Sequence, residues 1–400
     1  MLAARTTRWS QEPDVIVLGG GIIGAAAARE LTRAGASVRL VDAGGVGSGT
    51  SSRCDGNLLV QTKHDDVGVA LMLRSLAGYR RWAIDLPRDI ALGTHGSLVF
   101  FTGAGESAAH ERAEWLDRAG VRAELLTATQ VRERQPGLCA EISAGIDCHD
   151  DSSVYPPAVV AALVADAAAH GCVVQQRTRA LGLLVDVSGH VFGVRTDKGE
   201  MYAPWIVNAM GAWSAELDTG ERERLPVEPR QGVLVVTEPA SGLVSRPITE
   251  AAYISDRAST GAGSTAQVSL VAEPTYRGNI LLGSSRRFCG FDTEVPYELM
   301  AEIVTHAREL LPALGDLAMM RSFAGLRPWS PDNRPIVGES HEIPGYVLAT
   351  GHEGEGIGYA AVTAEMVRAT VVGEQVDDLL DRGMRAWSPA RFTATAGTPA

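Results

Sequence analysis

Asp14-Val-Ile-Val-Leu-Gly-Gly-Gly-Ile-Ile-Gly-Ala-Ala-Ala-Ala-Arg-Glu-Leu-Thr-Arg-Ala-Gly-Ala-Ser-Val-Arg-Leu-Val-Asp42 is the stretch whose reading decides the fold. Residues 14–18 are an apolar, β-branched run and read as a buried parallel strand. An alanine-rich helix follows over 25–34 and ends at Gly35. Residues 37–41 form a second strand, closed by Asp42. Together they make a βαβ unit of about 30 residues, the size of a mononucleotide-binding half. Gly19, Gly21 and Gly24 supply G-x-G-x-x-G between the first strand and the helix opened by Ile22 and Ile23. Gly19 permits the tight turn, Gly21 lets backbone approach a pyrophosphate, and Gly24 allows close helix–strand packing. The helix N-terminus adds positive potential. Asp42, followed by Ala43, stands where an acid accepts hydrogen bonds from ribose hydroxyls and disfavours a 2′-phosphate. An adenine dinucleotide is expected, and the fingerprint by itself does not separate FAD from NAD.

The rest of the chain bounds the class. Its 400 residues are 45% apolar and 21% charged, a globular composition long enough for two domains. A net charge of −12 argues against a nucleic-acid partner, whose phosphates require Lys and Arg. The most apolar stretch, 19–34, is cut by Arg29, Glu30, Thr32 and Arg33, so no membrane span is expected. The polar first fourteen residues lack the apolar centre of a signal peptide. Five scattered cysteines, with no C-x-x-C pair, do not suit a disulfide framework or a four-thiolate metal site. Reduced thiols and a cytoplasmic location are expected. The histidines show no H-E-x-x-H or other metal-ligand spacing, and no G-x-S-x-G elbow occurs, so no metal and no serine hydrolase chemistry is expected.

Beyond the first unit, helices are expected over 69–86, 106–119, 127–134, 157–170, 299–311 and 356–372. The third is opened by a Thr127/Gln130 capping box and stopped by Pro136-Gly137. Strands are expected at 96–101, 172–176, 180–187, 191–196, 205–209 and 346–350, with longer antiparallel ones at 230–237 and 267–284. Residues 390–400 read as a frayed tail.

Four further segments carry candidate chemistry. Gly49-Thr-Ser-Ser-Arg-Cys-Asp-Gly-Asn57 is small, polar and rich in backbone donors, so Thr50, Ser51, Arg53, Gly56 and Asn57, with Leu58 beyond, suit a pyrophosphate or ribityl chain. Trp205-Ile-Val-Asn-Ala-Met-Gly-Ala-Trp213 is a strand running into a second glycine turn, placing Ala209, Gly211 and Trp213 at the same sheet edge. In Gly325-Leu-Arg-Pro-Trp-Ser-Pro-Asp332 the proline biases Arg327 to an extended backbone, and a guanidinium binds a carboxylate through two hydrogen bonds. Gly351-His-Glu-Gly-Glu-Gly-Ile357 opens a helix whose N–H groups suit an anionic ring. His352 and Glu353 read as loop-shaping residues there. Lys63 and His64 read as a solvated pair.

These motifs, in this order, resemble the D-amino-acid oxidase / glycine oxidase superfamily of FAD-dependent oxidoreductases, over roughly residues 14–373. The stretch Asn279–Asp292 and the glycine loop at 351–356 look most like one branch, the catalytic subunits of D-hydroxyproline, opine and cyanide-forming glycine dehydrogenases. The resemblance implies an α/β fold, with a Rossmann-type FAD-binding domain of the GR2-like kind interleaved with an antiparallel-sheet α+β substrate domain. It divides the chain into 14–86, 147–218 and 322–373 for FAD, 87–146 and 219–321 for substrate, and a tail from 374 to 400. It implies Arg327 as the carboxylate anchor, Gly354 and Ile357 along the isoalloxazine, and Asn57 near the ring edge. Ala180, Gly351, Glu353, Glu355 and Gly356 complete the implied FAD contacts. Two positions depart from relatives: Gly354 stands where the glycine-oxidase branch has arginine, and residues 267–271 lack a Tyr or His aimed at substrate. Gly325 stands where monomeric sarcosine oxidases link FAD to cysteine, so non-covalent FAD is expected.

The implied reaction is oxidation of the C–N bond of an amino acid or of a secondary or cyclic amine to an imine, by hydride transfer from the α-carbon to flavin N5. The implied electron acceptor is oxygen or a partner flavin/iron–sulfur subunit. Two other readings stay open at this level: a nicotinamide-dependent dehydrogenase, and a non-catalytic flavin-binding subunit of a multisubunit dehydrogenase.

Overall fold

A computed structural model describes residues 12–220, 222–254 and 267–395. The first strand, Val15–Leu18, is wholly buried and pairs in parallel with Val38–Val41 on one side and Trp205–Asn208 on the other. Burial on both faces is why this strand is an unbroken apolar run rather than an alternating one. Val173–Gln175 and Tyr346–Thr350 extend the parallel array, and Ile336–Glu339 adds an antiparallel edge, giving the order 336–339, 346–350, 205–208, 15–18, 38–41, 173–175. The helix Ile22–Arg33 packs on this sheet through a row of alanines, Ala25 to Ala28, that are fully buried. Small side chains let it lie close to both Pro156–Ala169 and Gly356–Val372.

The second large sheet has eight strands in the order 319–329, 228–237, 280–288, 267–274, 248–250, 97–102, 142–148, 123–127. Its neighbours are antiparallel except 248–250 with 97–102. The expected strand at 267–284 is two strands, Gln267–Pro274 and Ile280–Phe288, joined by a turn in which Gly278 takes φ +86°. A left-handed glycine there reverses the chain where continuous apolarity suggested one long element. Met319–Trp329 pairs along its length with Glu228–Thr237, so the expected boundary at 322 falls inside a strand of the eight-stranded sheet. A three-stranded antiparallel sheet (180–185, 191–196, 199–202) and a two-stranded one (57–58 with 152–153) complete the framework.

The helices sit close to their expected places: Asp66–Asp85, Glu106–Arg118, Ala128–Arg134, Pro156–Ala169, Tyr297–Leu310 and Gly356–Val372. Both halves of the Thr127/Gln130 capping box form. One element replaces expected tail. Asp378–Trp387 is a helix capped by Asp377, whose side chain accepts from the Leu380 N–H, and Trp387 stacks edge-on against Tyr359 at 4.8 Å. No described helix is long and apolar enough to cross a membrane.

Candidate active site

The carboxyl ends of the parallel strands and the inner face of strand 319–329 border an open cavity. A second open space shares Gly19, Asp42, Thr50, Arg53 and Trp213 with it and reaches Ala43 and Ala180. The two form one elongated groove, placed where open parallel sheets bind ligands.

The dinucleotide end is built by the first turn. Gly19 adopts φ +97°, and a Cβ there would lie 2.4 Å from the Ala209 carbonyl oxygen. A Cβ on Gly24 would lie 1.8 Å from the Gly19 oxygen, so Gly24 lets the helix meet the strand and does not itself line the groove. Gly21, Ile22 and Ile23 do line it. The Ile22 N–H donates to Ser51 Oγ at 2.9 Å, which ties the helix N-terminus to the loop 49–57. Asp42 accepts from the Gly20 and Gly44 N–H groups, each at 2.7 Å, and so closes the turn as well as bordering the groove.

Thr50, Ser51, Arg53 and Asn57 from the polar loop line the cavity, as do Ala209, Gly211 and Trp213 from the second glycine turn. Gly56 and Leu58 lie behind it: a Cβ on Gly56 would lie 1.8 Å from the Val154 oxygen, and Leu58 is fully buried. Trp213 and Phe291 stack at 5.9 Å at the groove's edge.

At the other end stands Arg327. Its Nη1 donates to the Ser285 carbonyl at 2.9 Å, Nη2 reaches Ser284 Oγ at 3.4 Å, and Nε lies 3.8 Å from Glu353 Oε1. The guanidinium crosses Gly232, whose Cβ would fall 2.1 Å from Nη1, so glycine on the facing strand makes its space. Glu353 is buried with φ +49°, a backbone strain of the kind that collects at functional sites, and also lies 3.6 Å from Arg230. Gly354, Gly356 and Ile357 line the cavity beside Arg327.

Two further expected contacts, besides Gly24, Gly56 and Leu58, lie off the groove. Gly351 takes φ +70° and turns the chain against Ile336. Glu355 is buried away from the groove, ion-paired with Lys63. Lys63, expected in solvent, is 2% exposed, and its ammonium also sits 5.1 Å from the Tyr359 ring centre. A charge in a polar stretch of sequence carries no mark of the partner that will bury it.

Cys54, Asp55, Met210, Gly232, Leu234, Tyr253 and His352 also line the cavity, and sequence reasoning assigned none of them a ligand contact. Tyr253 brings an aromatic side chain to the cavity from outside strand 267–274. Burial pushes His352 down to about 3, so it is neutral, and its Nε2 sits 3.0 Å from Thr363 Oγ1. Burial raises the Cys54 thiol well above its usual value.

The residues fit an extended dinucleotide. Its turn has no room for side chains at Gly19 and Gly24. Asn57 lines the same cavity, and its Oδ1 accepts no hydrogen bond from the described residues. Gly325 has no space for a cysteine, since a Cβ there would lie 2.3 Å from the Arg53 oxygen.

Comparison with known proteins agrees with this geometry. The family model described as "FAD dependent oxidoreductase", DAO, matches residues 14–370. The chain is 29% identical to the glycine oxidase of Geobacillus kaustophilus over 390 residues, covering 96% of each. It is also 29% identical to the hydrogen cyanide synthase subunit HcnC of Pseudomonas aeruginosa, over 64% of this chain and 55% of that one. The crystal structure of the Geobacillus glycine oxidase superposes with a TM-score of 0.84 at 26% identity, covering 94% of this chain and 98% of that one. An L-proline dehydrogenase from P. horikoshii shares the fold, with a TM-score of 0.85 at 24% identity over 96% and 98% of the two chains. The nicotinamide reading falls with these findings, and the chain belongs to the DAO family of FAD-dependent oxidoreductases.

Proposed function

We propose that this enzyme oxidises the C–N bond of a carboxylated amine, an amino acid or a secondary or cyclic amine, to the imine. One observation carries the reading: a largely buried guanidinium, Arg327, borders the same cavity as the dinucleotide turn. Nη1 is committed to a backbone carbonyl, while Nη2 has only a long contact to a serine hydroxyl. Nη2 is therefore the atom with donor capacity to spare for a substrate carboxylate.

The groove from Ala180 and Ala43 through Gly19–Ile23 and Thr50–Arg53 would hold FAD, with Asn57 and Gly354–Ile357 toward the ring and without a covalent link. Bound there, FAD supplies the hydride acceptor that no protein side chain can provide. The protein's part is orientation. Arg327 holds the carboxylate, Glu353 holds Arg327 from its Nε side, and Leu234 and Tyr253 wall the cavity beside them. His352, neutral and bonded to Thr363, shapes the loop and takes no proton. In this division the six-stranded sheet carries the cofactor and the eight-stranded sheet covers the substrate.

The test is a visible spectrum of the purified protein, followed by anaerobic addition of glycine, proline, sarcosine, hydroxyproline and their decarboxylated counterparts. Flavin absorbance should bleach with a carboxylated amine and not with its decarboxylated analogue. Arg327→Ala should weaken that response at least about a hundredfold, the scale of a lost charged hydrogen-bond pair. Unchanged turnover in the variant would overturn the carboxylate assignment. Readmitting air then separates oxygen from a partner subunit as the electron acceptor.

A further inference from the structure

The carboxylate anchor leaves the other end of the substrate unexplained. An amino acid reaches the enzyme as an ammonium ion, and an ammonium nitrogen has no lone pair to support loss of hydride from the neighbouring carbon. Some group must receive a proton. Asp55 lines the cavity that Arg327 borders, and its backbone follows Cys54 in the loop packed against Gly325. The Asn57 N–H donates to its Oδ1 at 3.2 Å. Behind it Glu273, 5% exposed on strand 267–274, accepts from the Gly56 N–H at 2.8 Å. Asn57 lines the same corner, and its Oδ1 accepts no hydrogen bond from the described residues. The charged and titratable groups facing Asp55 are Cys54 in its own loop, Glu273 from the neighbouring strand and Arg327 from the strand beyond.

We propose that Asp55, backed by Glu273, receives the substrate's ammonium group and accepts one of its protons before hydride leaves the α-carbon. This rests on the amine-oxidation reading above. The proton moves from substrate nitrogen to an Asp55 carboxylate oxygen, the N–H bond breaks and an O–H bond forms. The lone pair left on nitrogen becomes the second C–N bond when the α-hydride departs to the family's FAD. Arg327 and Asp55 then meet the two charges of one zwitterion. Burial, and for Glu273 the neighbouring Asp55 as well, raises both carboxyls above their usual values, the direction that suits groups accepting a proton.

The holoenzyme tests this in two ways, using the carboxylated amine that bleaches the flavin. Wild-type kcat/KM should be supported near pH 7, whereas Asp55→Asn should lose roughly a hundredfold there and recover toward pH 10, where the amine is free. Glu273→Gln should give a smaller change in the same sense while flavin content and Tm stay measurable. Calorimetric titration of 2-aminoisobutyrate, which has no α-hydrogen to lose, in buffers of different ionisation enthalpy at pH 7.5 reads the proton without turnover. Wild type should release none, because the proton passes internally. Release of about one proton per site by wild type, or a pH profile unchanged in Asp55→Asn, would overturn the proposal while leaving the function intact. Failure of every amine to bleach the flavin would instead overturn the function.

Discussion

Lys63, His352 and Asp151 show how much a residue's role depends on what burial forces on it. Lys63 and Glu355 form an ion pair closed off from water, joining the loop after Asn57 to the loop before helix 356–372. Removing one member strands the other's charge, so Lys63→Met should lower stability by about 3–5 kcal/mol, and the double variant Lys63→Met/Glu355→Gln should recover part of it. Urea midpoints of the two variants check this. His352 behaves in the opposite way, because its folded state refuses a proton. Its folded pKa, about 3, lies below the unfolded value near 6.5. Between those limits the unfolded chain binds the proton and the folded one does not, so stability is full above pH 6.5 and falls as the pH is lowered. Burial acts on Asp151 with the other sign, raising it to about 6, so ionising it costs stability as the pH rises between 4 and 6. His352→Asn should flatten the acid-side loss of stability, seen as a smaller difference between urea midpoints at pH 7 and pH 4.

At the scale of elements, two glycines should fail differently when given a methyl group. Gly24→Ala puts a Cβ 1.8 Å from the Gly19 carbonyl, backbone that cannot move without opening the first turn. The variant should lose retained flavin, measured by the absorbance ratio after gel filtration. Gly232→Ala instead meets the end of the flexible Arg327 side chain, at 2.1 Å. The strand should stay folded while Arg327 is displaced, raising KM for the carboxylated amine with Tm little changed. A fall in both Tm and flavin content would show that Gly232 serves the sheet rather than the arginine.

For the whole molecule, the groove is shared by both large sheets: Gly19–Ile23 comes from one, Gly232, Leu234 and Arg327 from the other. A ligand bound there stabilises both together. Adding FAD to stripped protein at a hundredfold over its dissociation constant should contribute about 2.7 kcal/mol and raise a single calorimetric transition. Two transitions, only one of them shifted, would mean that the sheets unfold independently.

Much of this was legible in the residues, and the physical reason is locality. The βαβ turn, the capping box at Thr127 and the helix from Gly356 depend on neighbours a few positions away, and their glycines, caps and apolar runs are written side by side. The break at Gly278 and the helix after Asp377 are local as well, yet both were obscured: the first by apolar strands on either side, the second by a polar, amphipathic sequence that reads as solvated until Tyr359 and Leu71 are there to cover it. Tertiary structure alone decided the pairings across the chain. It set Lys63 against Glu355, 292 positions on, and Gly56 against Glu273, 217 positions on. Residue type determined that these groups carry charge, and only the packed sheets determined which charges would share a space without water.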